Sequence, residues 1–341
     1  MRKSDFTTLA ISPFFLYLNK AIQSTSGRLI FNSEFFMRQY TYHWLDVFTS
    51  EPFGGNPLAV FPEAEGLTDA EMQNIARELN LSETTFVLPS AQPPAQFRVR
   101  IFTPINELSL AGHPVVGTHF LLAAFGRYKL QSPVTRIYQE VGVGVLPVDL
   151  LCPNGRVERV RMTQAPPQFR SRVSDLGELA AALGLQTNDL LGEAAWPQVV
   201  STGVPQLMIP VRDLDVLRKI SPNLPALRAL CDELNTDMTY VFALESFDRT
   251  GRTHGRFVSG HYHFEDPVTG SASGAMAAYL VHHGLLAGNN DAPVEWIHEQ
   301  GHFMQRPGRV YITVHGQKGN VHTVQVAGDA VIMGKGEIFL G

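Results

Sequence analysis

Cysteine is nearly absent: the 341 residues include only Cys152 and Cys231. With no CxxC pair, neither a disulfide framework nor a cysteine-based zinc site is expected. Clustered positive charge is also missing. The net charge is -5, with 27 Lys and Arg against 32 Asp and Glu, so no nucleic-acid partner is expected, since phosphate neutralisation needs grouped cations. No apolar run approaches the roughly 20 residues needed to span a bilayer, which argues against a membrane partner. The P-loop, GxGxxG after a first strand, GxSxG and HExxH signatures are all lacking, so nucleotide-dependent chemistry and serine hydrolysis lose ground. What remains is a globular composition, 44% apolar and 17% charged. A soluble, cytoplasmic protein is expected, with acid–base chemistry and no cofactor.

The first 36 residues differ from the rest. Met1-Arg2-Lys3 followed by Leu9 to Leu18 imitates a secretory signal, but Ser12, Pro13, Asn19 and Lys20 interrupt it and no small-residue cleavage site follows. We read residues 1–36 as a disordered extension, with Met37 as the functional start.

Further on, two segments resemble each other at an offset of 158 residues: Glu107-Leu-Ser-Leu-Ala-Gly112-His113-Pro and Glu265-Asp-Pro-Val-Thr-Gly270-Ser271-Ala. Each runs through Gly and a polar residue into a small-residue helix pattern. Before the first lie a strand at Tyr40 to Phe48, a Gly54-Gly55-Asn56-Pro57 turn and an apolar run at Leu58 to Phe61. A capping box at Thr68 to Glu71 follows, opening a helix whose apolar face carries Met72, Ile75, Ala76 and Leu79. Strands are predicted at Thr85 to Leu88 and Phe97 to Phe102, then a helix from Pro114 to Ala124. The second half repeats this order. It has a strand at Leu207 to Val211, a helical region from Asp213 to Leu234 broken at Pro222 and Pro225, strands at Met238 to Ala243 and Arg256 to Phe264, and a helix from Ser271 to His283. The tail, Thr323 to Leu340, reads as short strands separated by Gly328, Gly334 and Gly336. Two such copies imply an α+β architecture of two similar lobes.

The two helix starts are candidates for anion binding, because the opening amides of a helix lack internal partners and carry the positive end of its dipole. Either segment alone is explained better by ordinary capping, whereas recurrence at a fixed offset moves the balance toward a shared site between Gly112 and Gly270. His113, at the first turn, can donate a hydrogen bond or move a proton near neutral pH. Glu83 is flanked by Leu81 and Phe86. A carboxylate held against apolar groups has a raised pKa, although a solvated loop glutamate is the commoner reading. His261, His263 and Glu265 alternate on one strand face, and a cleft wall explains them better than a metal site. His282-His283 reads as a pair of last-turn cations.

Four stretches identify a family resemblance. They are Asp46 to Phe61 (DVFTSEPFGGNPLAVF), Asn80 to Phe86 (NLSETTF), Arg100 to Pro114 (RIFTPINELSLAGHP) and Glu265 to Ala272 (EDPVTGSA). With the Gly-spaced tail they make residues 40 to 341 similar to the phenazine-biosynthesis PhzF-like family. The resemblance implies the diaminopimelate-epimerase-like fold: two pseudo-symmetric lobes, each a barrel-like β-sheet around a central helix, with a cleft between. The lobes would be residues 37–155, with the strands at about 325–341 packing on them, and residues 156–324. It implies a cofactor-independent isomerase of the trans-2,3-dihydro-3-hydroxyanthranilate type, acting on a small carboxylate-bearing molecule, and by family habit a homodimer. Glu83 would shuttle the proton, with His113 and Asp266 as further catalytic residues. Gly112, Gly270, Ser271 and Ala272 would bind the substrate carboxylate, and no metal is expected. Cys152 and Cys231 lie outside the motifs, so the paired-cysteine chemistry of related epimerases is not expected. Two alternatives stay open: a racemase or epimerase using Glu83 and Asp266 as two bases, and a non-catalytic binding protein on the same fold.

Overall fold

The computed structural model describes residues 37–261 and 265–341. The extension 1–36 and His263 lie outside the described residues. The first half of the chain contains β1 (Arg38–Val47), β2 (Asn56–Phe61), α1 (Asp69–Leu79), β3 (Glu83–Pro89), β4 (Phe97–Phe102), the short β5 (Glu107–Leu108), α2 (Gly112–Ala124), β6 (Val134–Val141), β7 (Gly144–Leu151) and β8 (Arg159–Thr163). In the second half come β9 (Gln168–Arg172), α3 (Leu176–Leu183), β10 (Gln198–Ser201), β11 (Pro205–Pro210), α4 (Leu214–Lys219), α5 (Leu224–Leu234), β12 (Thr239–Ala243) and β13 (Gly251–Val258). They are followed by α6 (Gly270–His282), β14 (Asn289–Gln300), β15 (Gly308–Gln317), β16 (Asn320–Gly328) and β17 (Ala330–Leu340), which returns to pair with β1.

Strand pairing shows the internal repeat directly. In the first half β1–β2 is antiparallel, β2–β3 parallel, β3–β4 antiparallel, β4–β6 parallel, and β6–β7 and β7–β8 antiparallel. From β10 to β16 the same succession recurs: β10–β11 antiparallel, β11–β12 parallel, β12–β13 antiparallel, β13–β14 parallel, then β14–β15 and β15–β16 antiparallel. Parallel neighbours need a crossover. Helices fall at matching crossovers: α1 and α4–α5 at the first, α2 and α6 at the second. The halves join where β8 pairs antiparallel with β16.

Helices α2 and α6 are buried on nearly every side, His113 to Thr118 in one and Ala272 to Val281 in the other. A helix apolar all round belongs inside a core. Accordingly α2 packs on β2, β3, β7 and β8, while α6 packs on β10, β11, β15 and β16. The expected α+β architecture, a curved sheet around each of two central helices, is therefore present. No described helix is long and apolar enough to cross a membrane.

Several local expectations need correction. β3 begins at Glu83, two residues earlier than the pattern suggested, so this residue sits on a strand and not in a loop. β13 stops at Val258, because the Ser259 hydroxyl bonds to Asp237 O and accepts the His261 amide, which turns the chain. Pro225 does not break a helix: it lies in the first turn of α5, where its missing N–H costs nothing. β17 runs unbroken through Gly334 and Gly336. At Gly336 a Cβ would come within 2.6 Å of the Tyr42 ring, so that glycine marks a close approach instead of a strand end. His282 and His283 are not cations. Burial lowers both, His283 to about 4; one stacks on Phe169 and the other meets Gln198 Oε1 at 2.9 Å.

Candidate active site

Helix α1 ends at Asn80 in the left-handed conformation (φ 50°), and the chain passes through Leu81 and Ser82 straight into β3. Glu83 is the first residue of that strand, beside Leu58 of β2. Its side chain is 16% exposed, and Oε2 lies 3.2 Å from His113 Nε2. The two atoms are out of hydrogen-bond alignment, and each is buried without any hydrogen-bond partner. Burial, with the Asp266 charge second, raises Glu83 to about 8, against a smaller opposing effect of Ser82. Burial lowers His113 to about 3. At neutral pH this pair is a protonated carboxyl facing a neutral imidazole, not an ion pair. Both atoms keep unused hydrogen-bonding capacity.

His113 is placed by the start of α2 and Ser271 by the start of α6. The N-cap residues, Ala111 and Thr269, make no side-chain cap to either helix, and neither first turn carries an acidic residue. The opening amides are thus left to an external acceptor. The helix ends meet closely: a Cβ on Gly112 would lie 3.6 Å from Gly270 Cα and from the Ser271 amide nitrogen. Two positive dipole ends converging on one point favour an anion there. Ser271 Oγ is 3.1 Å from the Gln206 side-chain amide. Ala272 is fully buried, leaving only its backbone to contribute.

Asp266 stands four residues before α6. Its Oδ1 accepts from Asn56 Nδ2 at 2.8 Å and its Oδ2 from the Thr269 hydroxyl. Burial raises Asp266 to about 6 against those two hydrogen bonds. Asn56, wholly buried at the start of β2, also donates to Val268 O and accepts from Ser82 Oγ at 3.0 Å each. One asparagine therefore ties the Glu83 approach to the Asp266 loop. Arg306 holds its turn in place, donating to Gly54 O, Gly55 O and the Asp46 carboxylate at 2.6 to 2.9 Å. Gln300 braces the other side through Asp266 O and the Thr269 amide.

The structure thus brings Glu83, His113, Asp266, Gly112, Gly270 and Ser271 into one region. Glu107 and Glu265, the repeated glutamates, take no part. Each is gripped at both oxygens by an arginine of the preceding strand, Arg100 at 2.7 Å and Arg256 at 2.7 to 2.8 Å. His261 pairs with Asp232 at 2.9 Å. Among the described residues, no group of three or more His, Cys, Asp or Glu is placed to hold a metal. Both cysteines are buried, with thiols pushed up, Cys231 to about 12, which keeps them protonated and unsuited as bases. Sequence reasoning missed Asn56, Gln206, Gln300 and Arg306. Asn56 had a signal, since Gly54-Gly55-Asn56-Pro57 lies in a family-like stretch but was read locally as a turn; the others lie far along the chain with none.

Comparison with known proteins gives the family. The model of the phenazine biosynthesis-like protein family (PhzC-PhzF) matches residues 45–336. An uncharacterised isomerase of Clostridium acetobutylicum is 37% identical over 89% of this chain and 99% of its own length. The trans-2,3-dihydro-3-hydroxyanthranilate isomerase of Pseudomonas aeruginosa is 34% identical over 88% of this chain and all of its own. The crystal structure of the Bacillus anthracis phenazine biosynthesis protein of the PhzF family superposes with a TM-score of 0.78 at 34% identity, covering 89% of this chain and 99% of that one. This chain belongs to the phenazine biosynthesis-like family and is an isomerase.

Proposed function

We propose that the enzyme moves a proton between two carbons of a small cyclic carboxylate, of the trans-2,3-dihydro-3-hydroxyanthranilate type, in the cytoplasm. The observation that carries this reading is the unpartnered pair Glu83 Oε2 and His113 Nε2, 3.2 Å apart beside two uncapped helix starts. The substrate carboxylate lies against the amides at Gly112 and His113 and at Gly270 to Ala272, with the Ser271 hydroxyl. Glu83 in its ionised form takes a proton from one carbon. The electron pair left behind shifts the double bond, and the same carboxyl returns a proton to another carbon, so the enzyme ends as it began. His113, neutral at this pH, donates or accepts a hydrogen bond on a substrate heteroatom. Asp266, largely ionised at neutral pH, holds a substrate N–H or O–H. The two-base racemase reading is weaker, because the bonds from Asn56 and Thr269 stabilise ionised Asp266 and make it a weaker base than Glu83, while leaving lone pairs for a substrate hydrogen bond.

The test is Glu83→Gln, assayed with trans-2,3-dihydro-3-hydroxyanthranilate in deuterated water. Turnover and deuterium uptake should fall by about 10³-fold, within the range for losing a general acid–base, with ligand affinity retained. In the native enzyme kcat/KM should climb about tenfold per pH unit up to about pH 8 as Glu83 ionises. Turnover by Glu83→Gln within a few-fold of native would end the proposal.

A further inference from the structure

Strand β11 alternates between two cores. Leu207 and Ile209 enter the cluster beneath α3 to α5, and Met208 enters the one around α6. Gln206 shares the Met208 face, where an apolar side chain would be expected, and is completely buried. Its amide is only half satisfied. Nε2 donates to Ser271 Oγ at 3.1 Å, while Oε1 is buried with no partner. A buried primary amide with an idle acceptor is unfavourable unless a ligand supplies the missing donor. The bond has a second effect: Ser271 accepts from Gln206, so its own hydroxyl proton is free for something else.

Building on the carboxylate site proposed above, we infer that Gln206 is a specificity-determining residue. It turns the Ser271 hydroxyl towards the substrate carboxylate and accepts, through Oε1, a hydrogen bond from an N–H or O–H group carried next to that carboxylate. A carboxylate lacking such a donor leaves Oε1 unpaired and is discriminated against; sites built to bond a polar group reject analogues without it strongly.

Calorimetric titration of the full chain with 2-aminobenzoate and 2-methylbenzoate, alike in shape but differing in the donor, tests this. The native protein should prefer the amino compound by at least about tenfold, and Gln206→Met should bring the two within about twofold. Gln206→Glu, nearly identical in shape, keeps the acceptors but draws the Ser271 hydroxyl to itself. It should keep the preference for the amino compound while binding both ligands about tenfold more weakly. Because 2-methylbenzoate is compared on the native protein too, the donor preference is measured even if one variant fails to fold. Equal affinities on the native protein, or a preference that survives in Gln206→Met, would overturn the role of Gln206 and leave the carboxylate site standing. Failure of both compounds to bind the native protein would remove the carboxylate site and this inference with it.

Discussion

The helix entrances at Glu107 to His113 and Glu265 to Ser271 share an outline and differ in what their polar groups are attached to. Each has a clamped glutamate, a glycine at the meeting point and an uncapped first turn. In the first, the functional atom, His113 Nε2, has no partner within the protein. In the second, Asp266 is bound on both oxygens and braced by Gln300. The internal repeat contains two turns of the same outline. One is tied down at its polar atoms, and the other leaves His113 Nε2 without a partner beside Glu83. A site that must move a proton needs a group with spare hydrogen-bonding capacity next to groups that hold still.

The largest expected effect concerns the open side. Glu83 is raised from 4.5 to about 8, so its contribution to stability is complete below pH 4.5 and lost as pH rises through 8. Asp266, raised from 3.8 to about 6, acts in the same direction over a lower window. His113 is lowered to about 3 and acts oppositely, its contribution present above 6.5 and lost as pH falls through 3. Urea unfolding from pH 5 to 9 should show Glu83→Gln gaining on the native protein by up to about 4 kcal/mol. Parallel pH curves would mean Glu83 is not held as described.

Next comes the fixed side. Asn56→Ala removes hydrogen bonds to Asp266, Val268 and Ser82 together. It should cost about 3 kcal/mol, from several buried polar groups losing partners, read as a lowered urea midpoint. A loss below about 1 kcal/mol would mean that Asn56 does not tie the two turns together.

The two glycines separate the entrances further. A methyl at Gly112 meets backbone at 3.6 Å and fits, so Gly112→Ala should fold normally but weaken 2-aminobenzoate binding. At Gly270 the methyl would lie 3.0 Å from the Phe48 ring, so Gly270→Ala should cost about 1–3 kcal/mol by overpacking. Equal melting temperatures for the two variants would erase this distinction.

The smallest effect is at the clamps. Arg256→Lys loses a two-pronged contact to a mostly buried Glu265 and a bond to Leu217 O, about 1–2 kcal/mol. Arg100→Lys faces the more exposed Glu107 and Asp69 and should cost less than about 1 kcal/mol. Thermal melts of both variants check the order.

Much of this was legible in the chain. Short-range signals carried it: the Thr68 to Glu71 capping box formed with both reciprocal hydrogen bonds, and the small-residue patterns after Gly112 and Gly270 became the central helices. Motif resemblance pointed to Glu83, although local pattern placed it in a loop. Long-range partnership left no trace. Gln206 meets Ser271 across 65 residues and Arg306 meets Asp46 across 260, and no periodicity encodes such pairs. His282 and His283 show the same limit, since helix position suggested charge and burial removed it.

The Asn56 and Arg306 contacts span 210 to 260 residues, which has a consequence during synthesis. Loops of that size close late, after local hairpins and helices have formed. A nascent chain ending before Arg306 could carry Glu83, His113, Asp266 and Ser271 and still lack the clamp that fixes their spacing. Catalytic competence would then arrive in one late step near the end of translation, with no partially active precursor before it.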